Sequence, residues 1–216
     1  MKKWNTIIFD LDGTLFDTSE GIACSIQYTL KQLKLSIPQP YTIADFIGPP
    51  IQQSFQTLVG LSTEEAQFAG DIFRTRYSAH DFCLSQLYPG MAELLVKLKE
   101  RGYKLGVATY KREDYAVKLL KNFNVYDLFD VVHVGDNENK LKKEDIIMLC
   151  LDELKEQAFE KSTVMIGDTK HDESAAEKIR IDFIGVSYGF GYKKGDQLPN
   201  KILVSSTYEL YDIFLT

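Results

Sequence analysis

Two aspartates, Asp10 and Asp12, stand where the apolar run Ile7-Ile8-Phe9 gives way to Gly13-Thr14. A short apolar run rich in β-branched residues reads as a buried strand, so both carboxylates sit at its carboxyl end. In open α/β sheets that is the edge where ligands bind. Three more polar groups follow at the ends of later elements: Thr109; the lysines Lys140, Lys142 and Lys143; and Asp168 with Asp172. If the strands run parallel, all of them converge on one edge. Acids gathered there repel unless a hard cation joins them, and carboxylate and carbonyl oxygens with waters suit Mg²⁺. A lysine and a hydroxyl beside the acids suit a phosphate, the lysine as a point charge and the threonine as a donor. The chemistry implied is phosphoryl transfer, in which one aspartate attacks phosphorus to form a mixed anhydride. The cation and the lysine steady the transferring oxygens, and the second aspartate is acid to the leaving oxygen and then base to water.

These groups need a scaffold, and the rest of the chain spells one. Asp17-Thr18-Ser19-Glu20 reads as a helix start with Asp17 as cap, followed by Ile22, Ile26, Leu30 and Leu33 at helical spacing. Proline ends that helix at Ile37-Pro38-Gln39-Pro40. Helical segments are predicted over 44–47, 51–59 and 63–78, with no strand between Asp17 and Gln86. After Tyr88-Pro89-Gly90 the pattern alternates. Strands are predicted over 104–109, 130–134, 163–168 and 182–186, and helices over 91–100, 113–123, 143–155, 174–179 and 208–215. In the 143–155 helix, Ile146, Ile147, Leu149, Cys150, Leu151 and Leu154 are available for the buried side. Such alternation implies parallel βαβ units. The predicted fold is α/β: a Rossmann-like parallel sheet in a three-layer α/β/α core, residues 1–16 and 87–216, with an inserted helical cap domain, residues 17–86.

The bulk properties exclude several classes. A net charge of −6 over 216 residues argues against a nucleic-acid polymer or an anionic membrane as main partner. No apolar run approaches the roughly 20 residues that span a bilayer, and the N-terminal apolar run is too short for a signal peptide. A cytoplasmic location is expected. The three cysteines, Cys24, Cys83 and Cys150, are far apart, form no Cys-x-x-Cys motif and read as reduced thiols.

Phe9-Asp10-Leu11-Asp12-Gly13-Thr14-Leu15, Val107-Ala108-Thr109, the lysine cluster and Ile166-Gly167-Asp168-Thr169-Lys170-His171-Asp172 resemble the motifs of the haloacid dehalogenase superfamily. Within it the chain is similar to the phosphoglycolate phosphatase-like branch, whose small helical cap is inserted after the first motif. Phe46-Ile47-Gly48-Pro49-Pro50 and Leu87-Tyr88-Pro89-Gly90 extend the likeness. The resemblance implies Asp10 as nucleophile and Asp12 as general acid/base, with Thr14 orienting the latter. It implies Thr109 on phosphate, and Mg²⁺ held by Asp10, the Asp12 backbone carbonyl and Asp168, with Asp172 a ligand or a partner of one. Lys143 is preferred over Lys140 as the phosphate lysine, since Lys140-Leu141-Lys142-Lys143-Glu144 lacks the prolines that often accompany the earlier position. Tyr110 stands where the family often has Asn or Ser and is grouped, with Thr14, Lys140 and Gly48, among candidate substrate-binding residues.

Blander readings attach to other features. Arg74 and Arg76 read first as solvated helix residues and second as side chains reaching a substrate anion. His80, His133 and His171 share no ligand spacing, and Gly48-Pro49-Pro50 is either a structural turn or a substrate-facing loop. The expected activity is a Mg²⁺-dependent phosphoric monoester hydrolase, a phosphatase acting on a small phosphorylated metabolite. The expected oligomeric state is a monomer, with a cap that closes to exclude water. A sugar-phosphate mutase, an inorganic pyrophosphatase and a nucleotide 5′-phosphatase remain alternatives. Dehalogenase chemistry is disfavoured because it needs neither the acid at position 12 nor a metal. A catalytically silent binding module is disfavoured by the intact acids and lysine.

Overall fold

The first strand, β1 (Thr6–Phe9), is buried at all four positions and lies inside the sheet, as a continuous apolar run should. The structure, a computed structural model, describes residues 3–136 and 140–216. After β1 come a two-residue strand, β2 (Phe16–Asp17), and helices α1 (Ser19–Leu33), α2 (Ile51–Ser54) and α3 (Thr63–Ala79). A second two-residue strand, β3 (Gln86–Leu87), precedes α4 (Met91–Glu100), β4 (Lys104–Thr109), α5 (Glu113–Asn122) and β5 (Val131–Val134). Then follow α6 (Lys143–Glu153), α7 (Phe159–Ser162), β6 (Thr163–Gly167), α8 (Lys170–Lys178), β7 (Asp182–Val186), β8 (Ile202–Val204) and α9 (Thr207–Leu215).

Six strands form one sheet in the order β5-β4-β1-β6-β7-β8, each pair parallel. The chain builds outward from β1 through β4 to β5, then crosses back to build β6, β7 and β8 on the other side. That reversal puts the ligand-binding crevice of a doubly wound sheet at the carboxyl ends of β4, β1 and β6. Side chains alternate across the sheet. Ile8, Ala108 and Met165 join Ile146, Ile147 and Cys150 of α6 and Ala175 and Ala176 of α8 in one core layer. Elsewhere Phe9 meets Phe129 edge-on, and Phe214 of α9 packs against Trp4 and Tyr103.

The chain divides into two compact units, Met1–Asp17 with Leu87–Thr216, and Thr18–Gln86. The second is helical and buries Phe46, Phe55, Phe73, Tyr77 and Phe82. Its one deeply buried acid, Asp81, receives Arg76 through two nitrogens at 2.9 and 3.0 Å and the Ser25 hydroxyl at 2.8 Å. Arg76 is therefore committed to an ion pair rather than solvated. No helix among the described residues is long and apolar enough to cross a membrane.

Several elements differ from the sequence expectation. The cap of α1 falls at Thr18, not Asp17, because Asp17 is still in strand conformation. Helix α8 reaches back beyond the segment read as helical to Lys170, because Thr169 and Asp172 form a capping box. Ile202–Val204 is an additional strand, too short for a periodic signal, and β2 and β3 break the expected absence of strands around the helical insert. Leu149, taken as available for the buried side of its helix, is 40 % exposed.

Candidate active site

Asp10 follows β1 directly, and its backbone N–H still donates to the Ile166 carbonyl of β6 at 2.9 Å. Asp168 follows β6, in register with β1, so neighbouring strand ends place the two acids side by side. Asp172 arrives from the first turn of α8, where its Oδ2 accepts the Thr169 hydroxyl at 2.6 Å. Carboxylate oxygens of Asp10, Asp168 and Asp172 all lie within 4.8 Å of one another, and all three residues are buried. Lys143, the first residue of α6, sends its ammonium among them, 2.5 Å from Asp10 Oδ1 and 2.8 Å from Asp172 Oδ1.

Three carboxylates against one ammonium leave a net charge of −2 when all are ionised. Burial pushes the Asp10 carboxyl well above its ordinary range; Lys143 pulls it down, and Asp172 and Asp168 add to the rise. Asp168 is pushed up to about 7, first by burial and then by the Asp172 charge, with the Phe190 and Gly191 amides pulling the other way. Burial disfavours the charge on Lys143, but Asp10 and Asp172 outweigh it and keep the lysine protonated. An all-oxygen, acid-rich, underneutralised cluster fits a hard divalent cation of the Mg²⁺ type.

The loop after β7 holds Asp168 in place. Asp168 Oδ2 accepts the Phe190 N–H at 2.7 Å and the Gly191 N–H at 3.3 Å. The backbone comes this close because glycines stand there. A Cβ at Gly189 would lie 2.2 Å from the Gly13 carbonyl oxygen, and one at Gly191 2.4 Å from the Asp168 carbonyl oxygen. Gly13 is doubly constrained, by a φ of +82° and by Asp168 Oδ2 lying 2.4 Å from where its Cβ would be. The two amide donors of this loop carry no sequence signal, since any residue but proline supplies an N–H.

Asp12 stands apart from the three acids and pairs with Lys111, whose Nζ lies 2.9 and 3.3 Å from its two oxygens. Lys111 is absent from the sequence-derived candidates because it opens the charged run Lys111-Arg112-Glu113-Asp114, which reads as a solvated helix start. Thr109 closes β4, and its hydroxyl oxygen accepts the Lys111 N–H at 3.1 Å, leaving the hydroxyl hydrogen to donate. The Tyr110 hydroxyl accepts the Lys143 N–H at 2.9 Å, and its ring lies 5.5 Å from the Lys143 ammonium. It thus braces the lysine at the start of α6.

Two other candidates are placed differently. The Thr14 hydroxyl donates to Asp168 Oδ1 at 3.4 Å rather than orienting Asp12. Lys140 is exposed, and its backbone N–H is tied to Asp136 at 3.0 Å. The helix start selects Lys143 because residue 143 is its first buried position, three residues on from Lys140. Gly48 lies in the helical unit with a φ of +113°.

Residues 7–186 match the family model described as haloacid dehalogenase-like hydrolase. The tyrosine-protein kinase PtkA of Mycobacterium tuberculosis is 32% identical over 187 residues, 86% of this chain and 62% of that protein; the chain thus spans under two thirds of its length. A 5′-nucleotidase of Pseudomonas aeruginosa is 34% identical over 190 residues, 88% of this chain and 85% of that protein. The crystal structure of a protein described as a predicted phosphatase from Clostridium acetobutylicum superposes with a TM-score of 0.88 at 32% identity, covering 97% of both chains.

Proposed function

The chain belongs to the haloacid dehalogenase-like hydrolases, and from that premise we propose that it is a Mg²⁺-dependent phosphatase that hydrolyses a small phosphomonoester through an aspartyl-phosphate on Asp10. One observation carries this reading: the Asp10, Asp168 and Asp172 oxygens within 4.8 Å of one another, with the Lys143 ammonium 2.5 Å from Asp10. Neutral or cationic substrates have no use for a buried lysine beside a nucleophilic carboxylate. A phosphate dianion does, provided the acids are neutralised as well.

Asp10, Asp168 and Asp172, with the backbone carbonyl of Asp12, would hold Mg²⁺, which supplies charge neutralisation and Lewis acidity at the phosphate oxygens. The chain's own residues do the rest. Lys143 pairs with the phosphate oxygens and keeps the Asp10 carboxylate aimed at phosphorus. The Thr109 hydroxyl donates to a phosphate oxygen. One Asp10 oxygen attacks phosphorus while the bond to the leaving oxygen breaks, and that oxygen takes a proton from Asp12. Asp12 then accepts a proton from water as the water oxygen attacks phosphorus. The bond from phosphorus to Asp10 breaks, inorganic phosphate leaves and the carboxylate is restored.

The 18–86 unit is assigned as the cap that selects substrate, with Gly48 in a substrate-facing loop. The protein is placed in the cytoplasm as a monomer acting on small metabolites. The name of the Pseudomonas relative supports nucleoside monophosphates as a first substrate class. Phosphate release from a broad phosphomonoester panel, including nucleoside monophosphates, sugar phosphates and pyrophosphate, tests the reading. Turnover with Mg²⁺ is expected, and Asp10→Asn is expected to remove at least roughly 10³-fold of it, as loss of a covalent nucleophile does. A wild-type protein inert across the panel sinks the reading. Transfer from ATP to a protein tyrosine without hydrolysis would replace it with the activity named for the mycobacterial relative.

A further inference from the structure

We propose that Lys111 is a positioning residue for proton transfer: it fixes the Asp12 carboxylate in the orientation from which that acid serves the leaving oxygen. The inference rests on the reading of Asp10 as nucleophile and Asp12 as acid/base.

The contact is two-pointed. Lys111 Nζ reaches both Asp12 oxygens, at 2.9 and 3.3 Å, so it restrains the carboxylate at two points. It is also withdrawn from water: the Lys111 side chain is 6% exposed and that of Asp12 20%. Desolvating an ammonium is costly, which separates this pair from solvent-exposed ion pairs of little energetic consequence. The lysine is brought there by the strand end itself, since its N–H is held by Thr109 Oγ1 in the turn between β4 and α5. One threonine therefore both closes the phosphate strand and aims the lysine.

The two lysines contact different acids. Lys143 serves Asp10 and Asp172, and Lys111 serves Asp12. Asp12 lies beyond β1 next to Gly13, in an isolated bridge with Phe16, and the Lys111 ion pair restrains its side chain. Proton transfer demands heavy atoms about 2.6–3.2 Å apart, so a carboxylate that wanders loses rate in proportion to the time spent elsewhere. The consequence is selective. A strongly acidic leaving group departs without a proton and is indifferent to Asp12; a basic one is not.

The test is kcat/KM for a series of substituted phenyl phosphates of graded leaving-group acidity, measured on wild type, Lys111→Met, Lys111→Arg and Asp12→Asn with Mg²⁺. This parameter covers the steps through departure of the leaving group. For Lys111→Met we expect a loss on the order of 10–100-fold at the basic end of the series, shrinking to about threefold or less at the acidic end. Asp12→Asn should show the same slope more steeply, and Lys111→Arg should recover most of the loss. A loss of equal size across the series, or one carried by KM alone, marks Lys111 as a substrate-anion binder and overturns the proposal. So does an unchanged Lys111→Met, or a uniform loss accompanied by a lower unfolding temperature. If the wild type is inert on the whole series, or Asp12→Asn is flat, the underlying reading of the site fails instead.

Discussion

Each of the two units buries an aspartate beside a basic residue, and the two are built on opposite terms. In the helical unit Asp81 meets one guanidinium and one hydroxyl, and its charge is matched. In the core unit Asp10, Asp168 and Asp172 share one ammonium and are left with an excess of negative charge. A matched buried pair is a structural device, retained because breaking it leaves an orphan charge. An unmatched cluster opposes folding, and its persistence marks a place where something else completes the charge balance. The difference separates a fold-holding acid from a site-forming one by charge balance alone, with both equally buried.

Charge removal should therefore have opposite signs in the two places. The widest split is expected at Asp10→Asn. Alongside the loss of turnover, the metal-free protein should unfold roughly 2–4 °C higher, the shift that ~1 kcal/mol of relieved repulsion gives a chain of this size. A lower unfolding temperature would show that the Lys143 contact outweighs the repulsion. Asp81→Ala should go the other way and cost about 1–3 kcal/mol, because Ser25 and Arg76 lose a buried acceptor. Denaturant unfolding reads this directly, and an unchanged midpoint would remove Asp81 from the structural class.

A smaller effect sharpens the comparison through pH. Asp168 loses its proton near its ordinary value of 3.8 when unfolded, but only at about 7 in the folded, metal-free protein. Between those values the folded state holds the extra proton, so stability falls as the pH rises through that window, and the cost is complete above it. Protons and a divalent cation compete for the same oxygens. The thermal shift produced by Mg²⁺ should accordingly be larger at about pH 8 than at about pH 5, and removing the cation with a chelator should reverse it. A shift independent of pH would place the cation away from Asp168.

Much of this arrangement is written in local sequence. Continuous apolar runs such as Ile7-Ile8-Phe9 and Leu105-Gly106-Val107-Ala108 identify interior strands, because a parallel sheet covered on both faces tolerates no polar alternation. An acid at the end of such a run is then at the ligand edge, which is why Asp10 and Asp168 stand out. Lys143 is preferred over Lys140 through the family resemblance, since the earlier position lacks its accompanying prolines. What stays hidden depends on tertiary approach. Lys111 looks like any solvated lysine until the β4–α5 turn directs it at Asp12. The amides of Phe190 and Gly191 act through backbone, which carries no residue signature. Thr14 lies between the two acids it could serve, and only the fold decides for Asp168. Strand β8 is three residues long and gains its identity from pairing with β7, not from its own pattern.

The position of β1 sets an order of events during synthesis. It precedes both of its sheet partners in the chain, yet it pairs with β4 on one side and β6 on the other, Thr6 lying opposite both Lys104 and Thr163. Until those segments have emerged, a largely apolar strand waits without sheet partners, a species prone to aggregate. Asp10 waits with it. Its carboxylate gains the company of Asp168 and Asp172 only when the last third of the chain arrives, so a truncated nascent chain carries the first aspartate but no acidic cluster. Assembly of the three-aspartate cluster is thereby tied to completion of the sheet.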